Sequence, residues 1–484
     1  MASEISRPIF VAGEWVRGEQ QLTVTNPANG EVVAVTSVAG PDEYERAVAA
    51  ALAVRPQLSA LASNERSAIL RRVEAGLLAR VDEIATILAR EAGKPIKDAA
   101  SEVERSAFAF RVAAEEAERI YGEVIPLDLN TASRGRTGIT KRFPIGLVAG
   151  ISPFNLPVGL AVHKVAPAMA AGCPILLKPP SAAPLTMLTV AEVIEAAGAP
   201  RGSVSVMPMT REMGNRLVAD DRFKLLSFTG SPEVGWDMKA RAGKKRVVLE
   251  LGGNAGVIVD RSADLDWAVK RSVYGAFKYA GQICISVQRI FVHEDLYSEF
   301  LDRFVAKSST LIMGDPLDPA SDLGPMIDGS SVARIGSWVD EAITGGAKML
   351  LGGPASGNFF PPTILVDAPT DSRVVREEAF APVVTVSPFS SFDAAVDAVN
   401  DSAFGLQAGV FTNDLGNAWS AFHRLEVGGV VINDVPTYRI DHMPYGGVKD
   451  SGLGREGLRW SIEDMTELRI LVMSDRRSDD ATAG

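Results

Sequence analysis

The length and charge of the chain narrow the classes of protein to which it can belong. Its 484 residues suggest two to four domains, and its formal net charge of −11 argues against nucleic acid as the main partner, because phosphate binding needs a basic face. Two cysteines make no disulfide framework in a chain of this length, so we expect a reducing, cytoplasmic compartment.

The first part of the chain is predicted to be mainly helical. Residues 64–91 have the spacing of one long amphipathic helix, capped by Asn64 and ended by Gly93. A second helix is expected from about residue 99 to residue 120. Residues 122–142 are polar and rich in β-branched side chains, which predicts a hairpin arm.

Short apolar runs alternate with helical segments from residue 145 onward. We expect strands at residues 145–151, 174–177, 203–206, 225–228 and 247–251, with helices such as 185–197 and 233–242 between them. This alternation is typical of a parallel α/β sheet, and a second alternation continues to about residue 434. The most apolar stretch, residues 158–177, contains His163 and Lys164 and is interpreted as a buried helix rather than a membrane span.

Six short motifs carry the chemistry. They are Ile151-Ser152-Pro153-Phe154-Asn155, Phe228-Thr229-Gly230-Ser231-Pro232-Glu233-Val234-Gly235, Leu249-Glu250-Leu251-Gly252-Gly253-Asn254, Gly281-Gln282-Ile283-Cys284, Glu377-Glu378-Ala379-Phe380-Ala381-Pro382 and Pro444-Tyr445-Gly446-Gly447-Val448-Lys449. In their order and spacing they resemble the aldehyde dehydrogenase superfamily, and the resemblance covers residues 10–473.

The resemblance implies a division of the chain into domains. A Rossmann-type dinucleotide-binding domain is expected from residues 1–121 and 143–252, and an α/β catalytic domain from residues 253–462. Residues 122–142 and 463–476 would form a small β arm for oligomerisation, which implies a homodimer or homotetramer. Residues 477–484 are short and polar, and we expect a disordered tail there.

The same resemblance assigns three catalytic roles. Aldehyde oxidation needs a soft nucleophile, and Cys284 occupies that position. Asn155 would donate to the oxyanion, and Glu250 would activate water to hydrolyse a thioester. Relatives that pass the acyl group to coenzyme A commonly lack this carboxylate, so Glu250 favours hydrolysis. A coenzyme A-acylating semialdehyde dehydrogenase and a non-catalytic protein on the same fold remain alternatives.

NAD or NADP is the cofactor that the resemblance implies. The residues expected to hold it are Lys178, Ser181, Gly230, Ser231, Gly235, Glu378 and Phe380. Ser181 stands where many members carry a glutamate that repels a 2′-phosphate. Residues 452–457 also fit the pattern G-x-G-x-x-G, but they lie outside any βαβ unit and are expected to be a structural turn.

The sequence defines the substrate-binding residues less well than the cofactor-binding residues. Residues 286–289 and 434–442 resemble the branch that acts on small polar aldehydes, including lactaldehyde, glyceraldehyde phosphate and phosphonoacetaldehyde. Arg111, Arg289 and Arg439 are candidates for binding an anionic tail, and Asn433 for orienting substrate or Glu250. The four histidines are scattered without metal-ligand spacing, so no metal site is expected.

Overall fold

The computed structural model describes residues 6–475, so the tail predicted at residues 477–484 lies outside the described residues. None of the helices in the described range has the length and apolar character that crossing a membrane requires. The chain begins with five short strands: β1 (Ser6–Arg7), β2 (Ile9–Val11), β3 (Glu14–Val16), β4 (Gln20–Thr25) and β5 (Val32–Val38).

Four helices follow: α1 (Pro41–Ala60), α2 (Ser63–Leu78), α3 (Val81–Ala92) and α4 (Ile96–Ala117). The prediction of one long helix over residues 64–91 was wrong, because the chain leaves helical geometry at Arg80. That side chain bonds Glu83 and reaches Glu192 on a later helix, where Nη2 lies 2.8 Å from Oε2. The cap prediction was also wrong: Ala62 occupies the cap position, and its N–H donates to the Glu65 carboxylate.

The predicted hairpin arm is present. It consists of β6 (Val124–Pro126), a 3₁₀ turn (Thr131–Ser133) and β7 (Arg136–Pro144), with the two strands antiparallel. Exposed and buried residues alternate from Thr137 to Lys141 in β7, as expected for a strand with only one covered face.

The first α/β unit comprises β8 (Leu147–Ile151), α5 (Gly159–Ala171), β9 (Ile175–Lys178), α6 (Leu185–Ala196), β10 (Val204–Val206), α7 (Arg211–Ala219), β11 (Phe223–Thr229), α8 (Pro232–Arg241) and β12 (Arg246–Glu250). All five strands lie within two residues of their predicted bounds. They are parallel in the order β12-β11-β8-β9-β10, so the chain order reverses between β8 and β11. Ligands of open α/β sheets bind at the carboxyl ends of the strands beside such a reversal.

The second α/β unit comprises β13 (Ala255–Val259), α9 (Leu265–Phe277), a 3₁₀ turn (Lys278–Gly281), β14 (Val287–His293), α10 (Glu294–Ser308), α11 (Gly329–Thr344), β15 (Lys348–Leu351), β16 (Thr363–Val366), α12 (Arg373–Arg376), β17 (Val383–Phe389), α13 (Phe392–Asn400), β18 (Phe404–Gly405), β19 (Gln407–Phe411), α14 (Leu415–Arg424) and β20 (Gly429–Ile432). Seven of its strands form a sheet in the order β15-β16-β17-β14-β13-β19-β20. This confirms the predicted α/β fold class, while the domain boundaries stay a prediction.

The last elements are β21 (Val448–Lys449), β22 (Gly452–Leu453), α15 (Leu458–Asp464) and β23 (Thr466–Ser474). Strand β21 pairs antiparallel with β18 of the second unit. Strand β22 pairs with the end of β12, and β2 and β3 complete the other edge, which makes an eight-stranded sheet. Strand β23 pairs antiparallel with β7 along its whole length. The late strand predicted from the sequence therefore lies on the hairpin arm.

Candidate active site

Cys284 lies in a loop between α9 and β14 whose backbone is strained. Tyr279, Ala280 and Gly281 have positive φ angles of 49°, 51° and 68°, which costs energy for side chains other than glycine. A Cβ on Gly281 would lie 2.1 Å from the carbonyl oxygen of Ala381. Glycine at this position therefore allows the loop to pack closely against Ala381, just before β17.

The Cys284 thiol is hydrogen-bonded to the phenol of Tyr445, with Sγ and Oη 3.1 Å apart. Burial raises the pKa of the thiol to about 12, whereas the hydrogen bond from Tyr445 and the positive charge of Arg439 lower it. The Arg439 guanidinium lies over the Tyr445 ring, 3.8 Å from its centroid, a cation–π arrangement. Arg439 and Tyr445 thus both favour the thiolate form of the cysteine.

Glu250 and Asn155 are brought to the carboxyl edge of the first sheet, at the end of β12 and just beyond β8. Both are buried, yet the Glu250 carboxyl oxygens and the Asn155 amide oxygen have no hydrogen-bond partner among residues 6–475. Buried polar groups are normally paired, so these atoms are free for a substrate or water. Burial and the negative charge of Glu456 raise the pKa of Glu250 well above its usual range.

A buried ion cluster lies behind these groups. Glu456 Oε1 accepts from Lys164 Nζ at 2.8 Å, and its Oε2 accepts from Arg439 at 3.3 Å. Lys164 also donates to the Thr229 hydroxyl at 2.7 Å. Burial alone would raise the pKa of Glu456, but the two cations outweigh it and hold that pKa at about 2.

A cavity opens on the other side of Cys284, and Arg105, His163, Arg439 and Asp441 line it. One oxygen of Asp441 accepts from Arg105 and from His163, each at 3.0 Å. Burial alone would raise the pKa of Asp441, but the hydrogen bond from His163 and the charges of Arg105 and Arg439 hold it well below its usual range. Burial and the charge of Arg439 lower the pKa of His163, which favours its neutral form.

Of the arginines proposed to bind an anionic tail, only Arg439 lines this cavity. Arg111 is exposed on α4, where its guanidinium lies 4.6 Å from the centroid of the Phe108 ring. Arg105 lines the cavity instead. The two residues are six positions apart, which turns them to different faces of a helix. The sequence could have separated them, because the apolar spacing of α4 defines its inner face.

Arg289 and Asn433 do not line this cavity. Arg289 is buried, and its guanidinium donates to the main-chain carbonyls of Asn254, Ala398 and Val399. Asn433 is exposed, and its amide oxygen accepts from the N–H of Thr412 at 2.9 Å. Both side chains are engaged in hydrogen bonds to the main chain of neighbouring segments, which does not favour a role in substrate binding.

A groove runs along the carboxyl edge of the first sheet. Lys178, Ser181 and Arg211 line it together with the first turn of α8. Burial lowers the pKa of Lys178, and no carboxylate among the described residues pairs with it. Ser231 occupies the N-cap position of α8, as expected, but its side chain makes no cap hydrogen bond.

Gly230, Gly235 and Gly214 shape the walls of this groove. A Cβ on Gly230 would lie 2.5 Å from the Phe228 ring, and one on Gly235 would lie 2.4 Å from Leu251. A Cβ on Gly214 would come within 3.5 Å of the Lys178 side chain. A dinucleotide fits this groove for three reasons: the N–H groups at the start of α8 border it, Lys178 is unpaired, and α8 packs closely on the sheet.

Glu378 and Phe380 lie beside the nucleophile loop in a second, smaller pocket. The Gly253 N–H donates to Glu378 at 2.9 Å, and burial raises the pKa of this carboxyl to about 7. The side chains of Asn254 and Gln288 both donate to the carbonyl of Glu377, which fixes the segment. Ile283 lines both this pocket and the cavity of Arg439, so Cys284 lies between the two.

Comparison with known proteins agrees with this geometry. Residues 15–471 match the model of the aldehyde dehydrogenase family. A 3-sulfolactaldehyde dehydrogenase of Priestia aryabhattai is 42% identical over 96% of this chain and 98% of its own length. The chain therefore belongs to the aldehyde dehydrogenase family, whose enzymes oxidise aldehydes.

Two solved structures are similar over nearly the whole chain. Aldehyde dehydrogenase 21 of Physcomitrella patens, in complex with its reaction product succinate, has a TM-score of 0.96 at 46% identity and covers 98% of this chain and 99% of its own. Glyceraldehyde-3-phosphate dehydrogenase of Methanocaldococcus jannaschii, complexed with NADP, has a TM-score of 0.91 at 38% identity and covers 95% and 100%.

The hydrogen bond to Cys284 gives a testable expectation. Replacing Tyr445 by Phe removes the phenol O–H that stabilises the thiolate, so the pKa of the thiol should rise. The rate of alkylation by iodoacetamide, measured against pH, should therefore shift to higher pH by about one unit, the size expected of one hydrogen bond to a charged group. Cys173 is buried, and burial raises the pKa of its thiol to about 11, so the alkylation should report on Cys284. An unchanged profile would show that the phenol does not stabilise the thiolate.

Proposed function

We propose that this protein is an NAD(P)-dependent, hydrolytic aldehyde dehydrogenase that oxidises a small aldehyde with an anionic tail to its carboxylic acid. The observation that carries the proposal is the position of Cys284 between two pockets. One is lined by Arg105 and Arg439, and the other by Glu378 and Phe380. The compounds named for two relatives, 3-sulfolactaldehyde and the reaction product succinate, support a small anionic substrate.

The first step forms a bond between Cys284 Sγ and the aldehyde carbon, and the carbonyl oxygen becomes an oxyanion. The Asn155 amide and the backbone N–H of Cys284 would donate to that oxygen. Tyr445 holds the thiol before the attack and favours its ionised form. The resulting thiohemiacetal loses a hydride and becomes a thioester. A bound dinucleotide, with its adenosine ribose at Lys178 and its nicotinamide at Glu378 and Phe380, would supply the hydride acceptor.

The second step releases the acid. Water adds to the thioester carbonyl, Glu250 takes the proton from that water, and the Cys284 thiolate leaves. The raised pKa of Glu250 suits a group that must accept a proton near neutral pH. Its two unpaired oxygens support this role. Coenzyme A needs no such base, so Glu250 favours hydrolysis over acyl transfer.

Glu250→Gln is expected to complete the first turnover and then stall. Hydride transfer precedes hydrolysis, so rapid mixing of enzyme, aldehyde and cofactor should release one equivalent of reduced cofactor, with later turnovers slowed by at least a hundredfold. In the wild type, the steady-state rate should fall as the pH drops through the raised pKa of Glu250, because a protonated carboxyl accepts no proton.

Cys284→Ala is the matched control and should show neither burst nor turnover. Each assay is run with and without coenzyme A. Normal cycling of Glu250→Gln, or a rate in the wild type that depends on coenzyme A, would contradict a hydrolytic mechanism.

We further propose that the enzyme uses NADP at least as well as NAD. Ser181 lines the dinucleotide groove beside Lys178 and Arg211, and a serine there exerts no repulsion on a 2′-phosphate. Ser181→Glu is therefore expected to shift the ratio of kcat/KM for NADP over NAD by at least tenfold toward NAD. An unchanged ratio would mean that the 2′-phosphate does not lie beside this residue. Ser330→Glu, an exposed change on α11, is the control.

The protein is further proposed to be a homo-oligomer. Leu471, Val472 and Met473 of β23 are about half-exposed, and one edge of this strand has no partner among residues 6–475. Strand β20 is likewise an edge, and a neighbouring subunit's β23 would cover it. Light scattering should give a dimer or tetramer mass. Leu471→Asp should weaken the assembly, whereas Leu350→Asp, on the opposite edge strand β15, should not. A monomeric wild type at micromolar concentration would refute this proposal.

A further inference from the structure

One face of helix α4 contacts several segments of the chain that line the substrate cavity. Asp98, Glu102 and Arg105 are four and three positions apart on this helix, so they lie on the same face. The Asp98 carboxylate is 3.3 Å from the ammonium of Lys278, just after α9. Arg105 donates to Asp441, on the loop before β21, at 3.0 Å. This face of α4 therefore connects segments that are far apart in the chain.

Glu102, in the middle of this face, contacts the segment that carries the oxyanion donor. One of its carboxylate oxygens accepts from the main-chain N–H groups of Val158 and Gly159, at 3.1 and 3.0 Å. These two residues follow Asn155 by three and four positions. The other oxygen forms an ion pair with Lys94, and the side chains of both partners are buried. Glu102 therefore links the start of α5 to Lys94.

Lys94 in turn contacts the loop that carries the nucleophile. Its ammonium lies over the Tyr279 ring, 4.5 Å from the centroid, a cation–π arrangement. The Tyr279 phenol donates to the main-chain carbonyl of Ala92 at 2.7 Å. Tyr279 has a positive φ and lies five residues before Cys284. These two contacts therefore hold a strained residue of the nucleophile loop in place.

We propose that Glu102 is a positioning residue that, through Lys94 and Tyr279, sets the distance between Asn155 and Cys284. This rests on the proposed function, in which the Asn155 amide and the Cys284 N–H donate to one oxyanion. Two donors can share an oxygen only while their segments keep a fixed separation, and a displacement of about 1 Å can cost about a hundredfold in rate. Glu102 acts through these contacts, because both of its oxygens are engaged.

Glu102→Gln separates the two contacts. The amide oxygen of glutamine can still accept from Val158 and Gly159, but its NH₂ would face the Lys94 ammonium, and two donors form no hydrogen bond. With lactaldehyde or succinate semialdehyde, whichever the wild type oxidises faster, the first hydride transfer should slow by at least about tenfold, while KM changes by less than about threefold. Glu104→Gln, exposed on the same helix, is the matched control and should behave as the wild type.

A double-mutant cycle with Asn155→Ala distinguishes positioning from a general structural role. Once the donor is removed, its position no longer matters, so Glu102→Gln should slow the Asn155→Ala enzyme by less than about threefold. A structural role would give the same factor in both backgrounds, and that result would overturn the inference.

The double variant Lys94→Met/Glu102→Gln separates rate from stability. Glu102→Gln alone leaves a buried ammonium without its carboxylate, which destabilises the fold, whereas the double variant removes both charges. Its Tm should therefore return toward that of the wild type, while the first hydride transfer stays at least about tenfold slow. A rate that recovers together with Tm would contradict the proposal.

Hydrogen exchange tests the same contact without turnover. In Glu102→Gln, the amides of residues 279–286 should exchange faster than in the wild type, because the contact with Lys94 is broken, whereas Glu104→Gln should show no change. Unchanged exchange at residues 279–286 would overturn the inference. If the wild type oxidises neither aldehyde, or Cys284→Ala oxidises them as fast, the proposed function fails, and exchange at residues 279–286 then decides whether Glu102 holds the loop.

Discussion

The site depends on one buried carboxylate, that of Glu456. Its side chain is 1% exposed, and it binds Lys164 on α5 and Arg439 on the loop before β21. Its backbone exchanges two hydrogen bonds with Tyr445, at 2.9 and 2.6 Å. Glu456 therefore connects helix α5, the Arg439 guanidinium and Tyr445, whose phenol is hydrogen-bonded to the Cys284 thiol. Removing Glu456 would leave two buried cations, Lys164 and Arg439, without their carboxylate, which is a large cost.

The position of Glu456 also shows the limit of local motifs. It lies in the G-x-G-x-x-G sequence of residues 452–457, which was predicted to be a structural turn because no βαβ unit surrounds it. The turn is present, with positive φ at Gly452, Gly454 and Gly457. The pattern could not show that Glu456, the residue before the last glycine, is buried and binds Lys164, which lies 292 residues earlier in the chain.

A structural feature could be predicted from the sequence when the residues that determine it are close together in the chain. Strand positions in the first unit were predicted to within two residues, because the alternation of apolar and helical segments is a local property. The helix break at Arg80 was missed because the helical spacing of apolar residues continues across it, whereas the contact of Arg80 with Glu192 is distant in the chain. The contacts of Arg289 were missed for a similar reason: an arginine after the nucleophile motif has the right chemistry for an anion, but only the folded chain shows that its guanidinium donates to three carbonyls.

The strain in the nucleophile loop follows from the need to place one thiol between two pockets. Gly253 must be glycine because a Cβ there would lie 2.1 Å from the Cys284 carbonyl oxygen, and Gly281 must be glycine to meet Ala381. The loop is thus in close contact with residue 253 on one side and with the segment that precedes β17 on the other. The left-handed turn at residues 279–281 is the backbone conformation that keeps Cys284 within reach of both pockets, so its energetic cost is part of the site.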